Sequence, residues 1–279
     1  MSLILGLCAA ICWALHDLSV RRISQHIAIL PALLCVFVFG ALFLLPVAVL
    51  AGDWGAMNIP AYRMSGVSGL LYGLAALSLY AAFEIGPVRL VSPIIGAFPL
   101  LSTLWAMYSG VEIGIGQWLA VIAIVLGVGL VALLSEPGAG QAGKSRAIAY
   151  SLLAALGFAA TFATAQIAAQ RGADLPVTLT SRIAATLLIA LLVWGMRHRA
   201  LPVRSALPVL ALMGLLDALA IGLVTYSGNL PRPEFAAVAA SLFGMLTVLL
   251  AWAILREPMR ARQWAAAALV FCGIGYLGL

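Results

Sequence analysis

Charge is scarce in this chain. Only 9% of its 279 residues are Asp, Glu, Lys or Arg, while 65% are hydrophobic. Soluble domains carry about a quarter charged residues, so a fold that meets water on all sides is excluded and the bilayer becomes the expected solvent. Histidine is rarer still, with His16, His26 and His198 too scattered for a His/Glu metal motif. The four cysteines, Cys8, Cys12, Cys35 and Cys272, fall inside apolar runs without ligand spacing or a loop to frame disulfides. They read as small packing residues, and no metal site is expected. Missing too are a Gly-rich phosphate loop followed by Lys and Ser/Thr, and a Gly-x-Ser-x-Gly turn. The expectation is therefore no cofactor, no catalytic residues, and no nucleotide-driven work by this chain alone. The net charge of +6 comes from basic residues in ones, twos and threes between apolar runs, which is topology charge and not a nucleic-acid patch.

What the chain does have is a series of apolar runs, each about 18 to 22 residues long and able to cross a bilayer as a helix. They lie near 2–20, 29–50, 64–83, 89–109, 117–134, 147–168, 177–195, 206–226, 235–255 and 262–279. The runs lack the alternation of a membrane β-barrel, which leaves an all-α membrane protein of about ten transmembrane helices. The first run is a span and not a secretory signal, because Arg21 and Arg22 follow it instead of preceding it. The longest break, SEPGAGQAGKSR at 135–146, reads as a flexible linker.

Sliding the chain against itself by 145 residues places Gln25 on Gln170, Leu30-Pro31 on Leu175-Pro176, Phe98 on Phe243 and Glu112 on Glu257. One further residue aligns Gln117-Trp118 with Gln263-Trp264, and Gly127 and Gly129 with Gly273 and Gly275. Such residues are rare here, so their agreement indicates an internal duplication, with repeats at 1–134 and 147–279. Five spans per copy is an odd number, which makes the two copies inverted relative to each other. Inverted halves can exchange conformations, and that supplies alternating access. Most basic loop residues gather on one face when both termini are placed outside, as a multi-pass protein of a bacterial-type inner membrane would have them.

Two five-helix repeats, each with a Glu near the start of its last helix, then Gln-Trp and a Gly-rich stretch, carry a family resemblance. The stretches are GVEIGIGQWLAVIAIVLGVGL and LREPMRARQWAAAALVFCGIGYL, with the Pro-rich fourth helix PVRLVSPIIGAFPLLSTLWA. On these the chain resembles the drug/metabolite transporter superfamily, in its ten-helix EamA-type layout, over essentially its whole length. The resemblance implies export of amino acids or related metabolites, as in the aromatic amino-acid exporter type. The ninth helix departs from the pattern, with Val238 and Gly244 where the fourth has Pro93 and Pro99.

Candidate residues follow from cost. Asp217 lies about ten residues into the eighth span, hence about 15 Å deep, where a carboxyl needs a cavity or a partner. Its position in the first repeat is held by Tyr72. Arg182, one and a half turns into the seventh span, reaches either out to the interface or in to Asp217 or a substrate carboxylate. Trp13, His16 and Asp17 share one face of the first helix, and Asp17 stands four residues before Arg21, which reads as an interfacial anchor with an intrahelical ion pair. A cavity-lining role for Trp13 and His16 is the alternative. Pro93 and Pro99 kink the fourth helix and suit either a hinge for a gate or a bend that shapes the bundle. Gly69 and Gly73 form a GxxxG packing pattern. Trp105, Phe158 and Phe162, with Tyr72, stand at mid-span depth for a pocket. Glu257 lies among Arg256, Arg260 and Arg262, an ion-paired loop. The partners expected are a small molecule, amino acid or metabolite, and the lipid bilayer, with no nucleic acid. Multidrug or quaternary-cation efflux and an intramembrane lipid-modifying enzyme are the competing functions.

Overall fold

The structure is a computed structural model that describes the chain except residues 99, 102–103, 105–113, 135–139, 197–203, 228–229, 231–233 and 278–279. All regular structure among the described residues is helical. The helices are α1 (Ser2–Ile23), α2 (Ile29–Ala51), α3 (Ile59–Ile85), α4 (Val88–Gly96), α5 (Ile115–Leu134), α6 (Gly140–Arg171), α7 (Asp174–Gly195), α8 (Leu207–Ser227), α9 (Glu234–Ser241), α10 (Phe243–Ile254) and α11 (Ala261–Leu277). By length and composition α1, α2, α3, α6, α7 and α8 are each able to cross a bilayer. Their outward faces are apolar, as at Leu42, Phe43, Leu45 and Leu50 of α2. Hydrocarbon replaces water as the neighbour of that surface.

Local chemistry sets the helix starts. Pro31 and Pro176 each occupy the third residue of their helix, where a missing amide costs no intrahelical bond. Asn58 caps α3 by accepting from the Ala61 amide at 2.9 Å. The sixth helix begins at Gly140, so the later part of the expected flexible linker is helical. Gln, Ala, Lys and Arg in that stretch are good helix formers.

The fourth span is discontinuous, and so is the ninth. α4 stops at Ala97, and α9 and α10 are separated by Leu242 alone, the residue 145 positions further on. The break in the ninth span forms without the prolines of the fourth. Discontinuous helices at equivalent points of two repeats are a recurrent feature of membrane carriers.

The ends of the helices show the inversion. Arg21 and Gln25, at the close of α1, donate to carbonyls of Phe83 and Glu84 at the close of α3. Arg171, at the close of α6, instead accepts from Asn58 at the start of α3. α1 and its counterpart α6 therefore run in opposite directions. The helices meet as a two-fold exchange requires: α1 packs on α8 as α6 packs on α3, α2 on α8 as α7 on α3, and α2·α7, α4·α10 and α5·α11 are self-paired. In the last of these a Cβ at Gly127 would come within 2.7 Å of Val270 and 3.1 Å of the Ala266 carbonyl. One at Gly273 would meet Ile124 at 2.8 Å and the Ala120 carbonyl at 3.0 Å, the same seam read from the other side. Gly69 and Gly73 likewise bring α3 against α7, at Ser181, Ala184, Ala185 and Leu188. Leu134 lies at the linker end of the molecule, where Gln263 of α11 donates to its carbonyl at 3.1 Å.

Candidate functional site

α1, α2, α3, α7 and α8 bring five side chains to the centre. Arg182 and Asp217, each 2% exposed, form an ion pair with Nη1 to Oδ2 at 2.5 Å. The Tyr72 hydroxyl donates to Asp217 Oδ1, and Trp13 Nε1 donates to the same oxygen at 3.3 Å. The Arg182 guanidinium also lies over the Phe37 ring, 5.2 Å from its centroid, and 5.1 Å from that of Tyr72. Tyr72 and Asp217 are 145 residues apart, and so are Phe37 and Arg182. Residues related by a two-fold can touch each other only beside the axis, so the pseudo-axis passes through this cluster.

Two cavities flank it. The first holds about 450 Å³ of empty space and is walled largely by aromatic rings, among them Trp13, Tyr80, Phe98, Phe158, Phe162 and Phe243. His16, Asp17 and Asp217 supply its charge-bearing groups. It lies toward the linker end, beside the later turns of α1 and α3. The second holds about 380 Å³ between α3, α6, α7 and α8, toward the opposite end, and is lined by hydroxyl side chains together with Arg182. Tyr72 and Phe162 face both.

Beyond the first cavity the linker end is tied shut by polar contacts. Glu257 accepts from the Val88 and Arg89 amides of α4 at 3.3 and 3.4 Å, and Arg21 Nε lies 3.6 Å from its carboxylate. Those two amides are orphans of a helix N-terminus, a place that favours a carboxylate. Arg89 in turn donates to the Pro258 carbonyl at 3.0 Å. Arg256, with φ of 54°, makes the turn that delivers Glu257.

Several expectations change here. Arg182 does not snorkel to the interface; its charge is satisfied inward by Asp217. The face of α1 bearing Trp13, His16 and Asp17 is no interfacial anchor, since all three are buried. Asp17 pairs with His16 Nδ1 at 3.1 Å, not with Arg21, and the other side of the His16 ring meets the Tyr80 hydroxyl at 3.3 Å. Arg21 is drawn away by Phe83 and Glu257, longer-range partners that helical spacing cannot reveal. Glu257 is tied to Arg21 and to α4 rather than only to its own loop. Phe158 and Phe162 line the first cavity, and Pro93 sits within α4 one turn before the break. Trp105 and Pro99 lie outside the described residues. Tyr80 and Phe37 carry no sign of a site role in the sequence, and Asp17 reads there only as half of a helical ion pair. Phe37 could have been found through the repeat, as the position equivalent to Arg182. The Oδ2 atom of Asp17 and Nη2 of Arg182 are buried without a hydrogen-bond partner among the described residues.

The EamA-like transporter family model matches the chain twice, over residues 1–133 and 145–279. An uncharacterized transporter of Archaeoglobus fulgidus is 22% identical over 255 residues, covering 88% of this chain and 89% of that protein. A solved crystal structure, 14% identical, superposes with a TM-score of 0.69 over 99% of this chain and 95% of its own, which is a likeness of fold.

Proposed function

The chain belongs to the EamA-like transporter family, and from that premise we propose that it is a secondary transporter exporting amino acids or related small metabolites by alternating access. The observation that carries this reading is the buried Arg182–Asp217 pair between two cavities that lie toward opposite ends of the molecule. Separating such a pair without replacement leaves two uncompensated charges. A zwitterion can replace both partners at once, its carboxylate taking Arg182 and its ammonium taking Asp217. The aromatic wall of the first cavity suits an apolar or aromatic side chain. In this reading the repeats 1–134 and 147–279 rock about the shared cluster, the linker end is cytoplasmic, and both termini face outward across a bacterial-type inner membrane. The chain acts as a carrier, not as an intramembrane lipid-modifying enzyme.

A second reading, efflux of organic cations, is favoured by one feature: Asp17 lines the first cavity, and its Oδ2 has no hydrogen-bond partner among the described residues. Flux into liposomes holding the purified protein separates the two. Saturable uptake of L-phenylalanine and other apolar amino acids, each inhibiting the other, is the expected result. Uptake confined to 2-phenylethylamine and quaternary ammonium compounds would transfer the assignment to the second reading, and no flux of any small solute would remove both.

A further inference from the structure

The cavity between α3, α6, α7 and α8 has a polarity opposite to that of its neighbour. Asp217 faces the first cavity and not the second, whereas Arg182 faces the second and not the first. The ion pair thus lies between the two cavities, with Asp217 in the wall of the aromatic one and Arg182 in the wall of the hydroxyl-lined one. The first cavity holds Asp17 as well, so an anion entering it meets two carboxylates. Among the described residues no acidic side chain lines the second.

The donors available in the second cavity are few and close to the cation. Ser68, Thr161, Thr178 and Ser181 spend their hydroxyl hydrogens on the carbonyls of Thr161, Gly157, Asp174 and Ser65. Toward the cavity they present lone pairs. Thr225 also stands in the wall, and its hydroxyl donates to no carbonyl among the described residues. Arg182 carries five N–H donors in a fixed fork. Its Nη1 is committed to Asp217, while Nη2, on a residue only 2% exposed, has no hydrogen-bond partner among the described residues. A buried guanidinium nitrogen and a hydroxyl beside it, in a cavity where no acidic side chain stands among the described lining residues, make a receptor for a carboxylate.

We propose that this second cavity is a carboxylate-binding site, in which Arg182 Nη2 and the Thr225 hydroxyl hold the carboxylate of a small organic acid or amino acid. The proposal deepens the transport reading and rests on it for its place in the cycle: the substrate's carboxylate end is the one held on the side away from the linker. Its chemistry is testable without transport.

Benzoate and benzamide share a shape and differ in charge. Binding of each to the full chain in nanodiscs, followed by equilibrium dialysis, should show benzoate held at least about tenfold more tightly. That preference should vanish in the double variant Arg182→Gln/Asp217→Asn, where a neutral amide pair retains hydrogen bonding at the cluster. Thr225→Val, away from the ion pair, should weaken benzoate about tenfold while benzamide changes little, and it serves where the double variant fails to fold. Equal binding of the two probes, or a benzoate preference that survives in either variant, overturns the site. Amino-acid flux without benzoate preference removes this inference and keeps the transporter; variant-sensitive benzoate binding without flux of any amino acid does the reverse.

Discussion

A guanidinium and a carboxylate at mid-bilayer depth are tolerable only together. Arg182 and Asp217 answer each other directly, while Tyr72 and Trp13 fill the remaining capacity of one carboxylate oxygen. Removing one charge strands the other, at a cost of about 3–5 kcal/mol. Arg182→Gln and Asp217→Asn should therefore each lower unfolding stability in detergent micelles by an amount of that order. The double variant should recover most of the loss, so that a double-mutant cycle returns a large coupling. Additive losses would mean that the two groups act independently and that the central cluster is not a pair. Asp217 was legible in the sequence because a carboxylate ten residues into an apolar run has no cheap position. Arg182 was ambiguous, since its stem is long enough to point either way from a helix end. Asp17 reads as an interfacial ion pair for a different reason: its apparent helical partner, Arg21, bonds to α3 and Glu257 instead.

At the scale of elements, the apolar runs announced the helices to within a few residues at most boundaries, because crossing hydrocarbon demands length and internal hydrogen bonding. α3 and α6 extend beyond their runs, since polar residues at membrane ends cost a helix little. The fourth span's break had a local sign in Pro93. The equivalent break at Leu242 had none, because it arises where α10 packs on α4: a Cβ on Gly244 would lie 2.8 Å from the Ser92 carbonyl. The seam of α5 and α11 was half-visible, as the repeated glycines Gly127 and Gly273, but their mutual contact needed the fold. Gly127→Val and Gly273→Val each add bulk at the same crossing from opposite sides. Overpacking of this kind costs about 1–3 kcal/mol, and the two variants should lower the thermal midpoint in micelles by similar amounts. A large loss in one with none in the other would show that the seam is not shared symmetrically.

At the scale of the molecule, the duplication explains why the cluster lies where it does. An odd number of spans per copy forces opposed poses, opposed poses create a two-fold between the halves, and the residues beside that axis are the ones that two cavities can share. Arg21, Arg89 and Glu257 join α1, α4 and the loop after α10 at the linker end, so they tie the first repeat to the second across the mouth of the aromatic cavity. If the halves rock, this tie must part once per cycle. In a background freed of native cysteines, Arg21→Cys/Glu257→Cys should carry substrate until a short thiol-specific bridge joins the two positions. The bridge should then halt flux of amino acids into liposomes, and reduction of a cleavable bridge should restore it, with the same protein serving as its own control. Bridged protein that transports at the unbridged rate would show that the linker end never opens. Substrate would then have to leave the aromatic cavity by a lateral path between helices, and rocking about the Tyr72–Asp217 axis would no longer describe how this chain works.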